Sequence, residues 1–178
     1  MENLEQEINN LKNSIRDVPD FPKEGIIYKD ITTLLKDPIK FKRTVDLLVA
    51  KYMEHGIKDV IAIESRGFIL GGAVAYHLGA GFIPVRKKGK LPYKVHEVTY
   101  DLEYGTDTLA IHQDAVQPGS KVLIIDDLLA TGGTTGAVIR LLEKLEAQIA
   151  GIAYLIELTF LEGRAKLQGH DVFSLIKY

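Results

Sequence analysis

Two adjacent carboxylates, Asp126 and Asp127, stand between an apolar run and a turn of small and hydroxylated residues in VLIIDDLLATGGTT. Val122, Leu123, Ile124 and Ile125 read as a short strand buried on both faces. The acids fall at its carboxyl end, where open α/β sheets place their ligands. Ala130, Thr131, Gly132, Gly133 and Thr134 form a tight turn ahead of the helical spacing Val138, Leu141, Leu142, Leu145. Such a turn aims several main-chain N–H groups at one point, and the helix dipole favours negative charge there. These residue types predict a phosphate cradle beside two carboxylates, suited to ribose hydroxyls or a magnesium-bound diol. The dinucleotide pattern G-x-G-x-x-G and the nucleotidase pattern G-x-x-x-x-G-K-[ST] are both absent.

A second concentration of chemistry is cationic. RKKGKLPYK carries Arg86, Lys87, Lys88, Lys90 and Lys94 with no acid, in a chain whose formal net charge is only −2. A run of this kind is commonly a solvated loop. Nucleic acid fits it poorly, because the basic residues occupy one short segment and no nucleic-acid-binding motif accompanies them.

The elements that must position these groups alternate. Leu4, Ile8, Leu11 and Ile15 share a helical stripe within residues 2–16, with Pro19 beyond it. Asp37 and Pro38 read as N-cap and first residue of a helix over about 38–55, with Gly56 as its stop. Val60–Ile63 reads as a buried strand, 67–78 as the helix after it, and 82–85 as a further strand. Residues 97–112 read as two strands joined at Tyr104-Gly105, and Pro118-Gly119 as the turn before the central strand. Residues 149–158 and 171–176 complete the set. This order implies an α/β fold with a mainly parallel sheet covered on both faces. With 178 residues, 46% apolar, the chain can bury one core as a single domain over 1–178. The absence of cysteine suits a reducing cytoplasm. The polar start MENLEQEINN is unlike a secretory leader, and no apolar run is long enough for a membrane span.

The 122–135 stretch resembles the phosphoribosyl pyrophosphate (PRPP) motif of the type I phosphoribosyltransferases, with all its usual elements. Three further segments, in order, resemble the adenine phosphoribosyltransferases within that family. They are DFPKEGIIYKDI (20–31), ESRGF (64–68) continuing to VRKKGKLP, and YDLEYG (100–105). The resemblance covers nearly the whole chain. It implies the type I phosphoribosyltransferase fold: a parallel five-stranded core sheet flanked by helices, with a small hood from roughly 1–35 and parts of the carboxyl end. It also implies an activity, transfer of the phosphoribosyl group from PRPP to adenine, giving AMP and pyrophosphate in purine salvage. A homodimer in the cytoplasm, with no nucleic-acid or membrane partner, is expected.

Roles follow from the same resemblance. Asp126 and Asp127 hold the ribose diol, directly or through Mg2+ that is itself held mainly by substrate. Ala130, Thr131, Gly132, Gly133 and Thr134 hold the 5-phosphate. Arg66, Arg86, Lys87 and Lys90 clamp the departing pyrophosphate, with Arg86 acting in its own or a neighbouring subunit's site. Glu103, at the tip of a lid over about 92–106, is the catalytic acid–base group, set against the imidazole nitrogen of adenine that does not bond. Tyr100, Leu102 and Tyr104 flank it and exclude water. The main chain of Ile27 and Lys29 reads adenine, and Ile27 with Leu158 sandwiches the ring. Where some members carry arginine, this chain has Lys29. A cis peptide is expected at Glu64–Ser65. The alternatives are a six-oxopurine phosphoribosyltransferase, opposed by the 20–31 and 100–105 segments, and a PRPP-sensing regulator. A regulator of the DNA-binding kind needs an amino-terminal recognition domain, for which the residues before Phe21 leave no room.

Overall fold

The computed structural model describes residues 2–101 and 105–178. It divides into two compact units, Met1–Leu47 and Leu48–Tyr178.

The first unit contains α1 (Glu2–Lys12), β1 (Arg16–Pro19), β2 (Ile27–Asp30), α2 (Thr32–Lys36) and the start of α3 (Pro38–Tyr52). The helix expected over 2–16 stops at Lys12. Ile15, the last residue of its stripe, lies in the following turn and is still buried. β1 and β2 form an antiparallel pair in which Arg16 faces Asp30 and Asp17 faces Lys29. Both facing pairs are ionic, at 2.5 and 2.7 Å. The Phe21–Pro22 peptide between the strands is cis, and the Phe21 ring packs edge-on to Tyr28. Asp37 caps α3 as its sequence implies, accepting the N–H groups of Ile39 and Lys40. That helix ends at Tyr52, one turn earlier than expected.

The second unit is built on a sheet. Its strands are β3 (Asp59–Ile63), β4 (Gly81–Lys87), β5 (Val95–Asp101), β6 (Thr106–His112), β7 (Lys121–Leu129), β8 (Gln148–Glu157) and β9 (Val172–Lys177). They lie in the order β5-β6-β4-β3-β7-β8-β9. The five strands from β4 to β9 are mutually parallel, as expected. The β5–β6 hairpin extends that core antiparallel to β4, making seven strands in all. From β3 the chain steps one way to β4 and later the other way to β8 and β9. Strand order therefore reverses between β3 and β7, the place where open α/β sheets hold ligands.

Alternation decides which face each residue serves. Ile61 and Ile63 of β3 join Ile124, Ile152 and Tyr154 in a core closed by α5 (Gly133–Lys144) through Val138, Leu141 and Leu142. Ala62 faces the other way, against α4 (Gly67–Leu78). There the fit is tight: a Cβ on Gly71 would come within 2.6 Å of the Ala62 Cβ. Close packing of this kind sets how α4, and thus the loop before it, sits on the sheet. Gly71→Ala is expected to destabilise the protein by about 1–3 kcal/mol through overpacking. Thermal or denaturant unfolding measures this, and a variant as stable as the parent would contradict the packing.

Candidate active site

The site residues of the second unit gather on the carboxyl edge of three neighbouring strands, β4, β3 and β7. β3 contributes the loop Glu64-Ser65-Arg66, β4 its last residues Arg86 and Lys87, and β7 the two acids. The apolar run alone predicts that β7 stops before these acids. Instead it runs on to Leu129, because its two neighbours end at different heights. Pairing with β3 stops at Ala62↔Ile125, whereas pairing with β8 continues to Leu129↔Glu157. Asp126 and Asp127 thus keep strand backbone on one side and face an opened edge on the other.

Asp127 is buried, and Asp126 is half-buried. The Asp126 carboxylate accepts the main-chain N–H of Asp127 at 2.9 Å. The first residue of α4 must be glycine here, since a Cβ on Gly67 would sit 2.8 Å from the same Asp126 oxygen. Arg66 places its Nε 2.9 Å from Asp127 Oδ2. That contact is an ion pair without the alignment of a hydrogen bond, so the buried Oδ2 keeps its accepting capacity. Burial raises the Asp126 carboxyl well above the ordinary carboxylate range, and the Asp127 charge beside it adds to the rise. Burial raises Asp127 too, with the Arg66 charge opposing.

The phosphate turn follows directly. Gly132 caps α5 with φ +77°, a left-handed conformation that suits glycine. No side chain caps the N-terminal turn of α5. Behind it, the buried Thr135 hydroxyl pairs with the Tyr154 hydroxyl at 2.6 Å. In front, the Tyr100 hydroxyl at the end of β5 accepts from Thr134 Oγ1 at 3.4 Å. The hairpin stem is fastened to α5 by Lys144 and Arg140, which donate to the carbonyls of Glu97 and Thr99.

The expected pyrophosphate cations are brought to this edge, and three of them are already engaged. Arg66 holds Asp127. Arg86 donates to Glu64 at 2.8 Å and to the Lys90 carbonyl at 2.9 Å. Lys87 pairs with Asp107 at 2.9 Å, while its main-chain N–H binds the second oxygen of Glu64. The Arg86 hydrogen bond lowers the Glu64 carboxyl below its ordinary range, and the Lys87 contact does the same to Asp107. Lys90 is exposed. The Glu64–Ser65 peptide is cis. Sequence reading finds the cations but not their acidic partners, because Glu64 and Asp107 are remote in sequence from Arg86 and Lys87.

The remaining expected residues are placed unit by unit. In the first, Ile27 opens β2 and is 56% exposed, an unusual position for isoleucine unless something covers it. The Lys29 ammonium donates to Asp17, the residue it faces across the β1–β2 pair. In the second, Leu158 follows β8, half-buried, and donates its N–H to the Leu129 carbonyl. Glu103 lies outside the described residues.

A family model described as a phosphoribosyl transferase domain matches residues 32–175. Over 164 residues the chain is 58% identical to the adenine phosphoribosyltransferase of Desulfitobacterium hafniense (strain Y51), covering 92% of this chain and 95% of that protein. It is 55% identical over 170 residues to that of Nostoc punctiforme, covering 94% and 99%. The crystal structure of the adenine phosphoribosyltransferase from Thermoanaerobacter pseudethanolicus superposes with a TM-score of 0.92 at 51% identity, covering 96% of this chain and 99% of that one. That of the Saccharomyces cerevisiae protein, complexed with an imino-altritol bisphosphate and adenine, gives 0.90 at 39% identity, covering 96% and 99%.

The desolvated acids have a measurable cost. A carboxyl whose folded pKa lies above its ordinary 3.8 binds its proton more tightly when folded. Its stabilising contribution is complete below about pH 4 and is lost as pH rises through the folded value. Asp126→Asn removes that loss. In metal-free buffer it is expected to melt higher than the parent at pH 7, by roughly 2–4 °C for each 1 kcal/mol recovered. The gap closes as pH falls towards 4. A variant that melts lower at pH 7 would show that Asp126 is not under electrostatic strain.

Proposed function

The chain belongs to the phosphoribosyl transferase domain family, among the adenine phosphoribosyltransferases, and from that premise we propose how its residues carry the reaction. The reaction joins an imidazole nitrogen of adenine to the anomeric carbon of PRPP. The bond from that carbon to pyrophosphate breaks, and a ring proton is lost. The transition state has oxocarbenium character, so charge develops on the ribose ring and on the leaving oxygens.

The observation that carries this reading is the union of two desolvated carboxylates with a helix-capping phosphate turn on one sheet edge. Asp126 and Asp127 receive the ribose hydroxyls, which can donate to acceptors that have lost their water. Main-chain N–H groups and hydroxyls of Ala130–Thr134 hold the 5-phosphate. Arg66, Arg86, Lys87 and Lys90 stabilise pyrophosphate as it gathers charge, the first three exchanging their carboxylate partners for phosphate oxygens. Glu103 accepts the proton from the imidazole nitrogen that does not bond. The main chain of Ile27 and Lys29 reads adenine, its carbonyls accepting from the exocyclic amine, and Leu158 offers the ring an apolar face. A six-oxopurine would present an acceptor to those carbonyls and leave buried groups unpaired.

Mg2+ fits this donor set. Asp126 and Asp127 offer hard oxygens in a buried place, and Asp127 Oδ2 there is without an aligned hydrogen bond among the described residues. These two acids would hold it, directly or through substrate. When bound, the ion would supply positive charge to neutralise the anionic substrate.

Among the described residues no helix is long and apolar enough to cross a membrane. We infer a cytoplasmic homodimer, and α4 supports the dimer. Its sequence GFILGGAVAYHL is apolar on every side, the pattern of a helix with no face meant for water. Yet Ile69 and Tyr76 on its outer side are 45% and 83% exposed, and nearby Phe82 is 41% exposed. A second copy covering this face would complete its burial.

Three measurements test these assignments. A chromatographic assay with PRPP and magnesium should yield AMP from adenine and little product from hypoxanthine, guanine or xanthine. Nucleotide from a six-oxopurine would overturn the base reading. Glu103→Ala should lower kcat by roughly 100-fold or more with modest change in KM, while Asp127→Ala should raise the KM for PRPP about tenfold. Unchanged turnover in the first variant removes Glu103 from the chemistry. Sedimentation of Tyr76→Glu should show a monomer where the parent is a dimer, and a dimer that persists would place the interface elsewhere.

A further inference from the structure

Behind the phosphate turn lies a short 3-10 turn, Gly163–Leu167, to which no motif assigns a role. It touches the turn backbone to backbone. A Cβ on Gly163 would strike the Ala130 carbonyl, and one on Gly132 would strike the Gly163 carbonyl. Only two facing glycines permit that approach. Glu162, just before, holds a left-handed φ of +51°, a conformation that persists in a non-glycine residue where its surroundings dictate it.

Arg164 fixes this 3-10 turn in place. Its guanidinium grips Glu157 at both oxygens, at 2.6 and 2.7 Å, and also donates to the Val172 carbonyl at 2.7 Å and the Ser174 hydroxyl at 3.3 Å. Glu157 is buried at the end of β8. The next residue, Leu158, donates to the carbonyl of Leu129 at 2.9 Å, and Leu129 immediately precedes Ala130. The contacts close a ring: phosphate turn to Gly163, Arg164 to Glu157, Leu158 back to the head of the turn. An ion pair with its acid this buried is poor evidence of stabilisation, since apolar residues of the same volume hold a fold as well. What the fork adds is geometry, because a bidentate arginine fixes orientation as well as distance.

We propose that Arg164, anchored by Glu157, is a positioning residue that fixes the spacing between base-contacting Leu158 and the phosphate turn. This inference rests on the roles given to Leu158 and Ala130–Thr134 above. Its signature is selective. AMP spans both ends of the frame, whereas PRPP engages the phosphate end without the base. Loosening the frame should therefore weaken AMP much more than PRPP.

Arg164→Met keeps an unbranched, flexible stem but loses the fork. Calorimetric titration is expected to show AMP affinity falling about tenfold, with PRPP affinity changing less than threefold. Arg164→Lys should recover part of the loss. Should Arg164→Met fail to fold, Glu157→Gln, which keeps the shape of the acid, carries the same comparison with about a threefold loss for AMP. Turnover of adenine and PRPP by the parent protein separates the two levels of inference. Without that turnover, the underlying reading fails. With it intact, AMP and PRPP affinities that fall in parallel, or do not fall, overturn the frame. The two affinities decide the matter and melting temperatures do not, since a merely structural ion pair would shift melting without separating the two ligands.

Discussion

The structure around the site depends on where β3 and β7 stop pairing. They run parallel and hydrogen-bonded to Ala62 and Ile125, and beyond that level they part. β3 turns into Glu64-Ser65-Arg66, while β7 continues alongside β8 and carries Asp126 and Asp127 past the end of its other neighbour. Without that difference in height the two acids would be paired on both sides within the sheet. With it, β8 flanks them on one side, through the Asp126↔Tyr154 pair, and Arg66 and the start of α4 meet them on the other. The glycine at position 67 is a consequence, for a side chain there would displace the Asp126 carboxylate.

Burying two adjacent carboxylates beside a single well-placed cation is an arrangement that folding alone would not favour. Burial raises both pKa values, and Arg66 compensates only in part. Sites of this kind concentrate where a ligand completes the electrostatics. The cationic side of the edge shows the complementary solution. Arg86 and Lys87 are matched by Glu64 and Asp107, so charge of both signs alternates there. On the reaction proposed above, an incoming polyphosphate would exchange one set of ion pairs for another in a partly exposed setting.

Much of this is legible in the sequence. α4 spans Gly67–Leu78 as its residues imply, and the PRPP motif carries strand, turn and helix in the right order, because apolar periodicity and turn glycines are local signals. Local signals mislead where neighbours decide. β7 outruns its apolar run because β8 offers partners for Asp126, Leu128 and Leu129. The β1–β2 pair is not legible, since RDVP and IYKD show no hydrophobic alternation and are held by facing charges instead. At the site, the residues of the motif are visible, whereas their partners are not. Glu64 for Arg86, Asp107 for Lys87, Tyr154 for Thr135 and Arg164 for Glu157 are all contacts that only the fold brings about.

α5 links the two parts of the site that the sequence presents separately. Its amino end is the phosphate turn, and its flank carries the stem of the β5–β6 hairpin through Arg140 and Lys144. The stem closes on the turn itself, where Tyr100 meets Thr134 and the Asp101 carbonyl lies 3.5 Å from the place a Cβ would occupy on Gly133. One helix contacts both features, reaching the stem at the carbonyls of Glu97 and Thr99 and at the Tyr100 hydroxyl. The glycine turn and the hairpin stem thus share one support among the described residues.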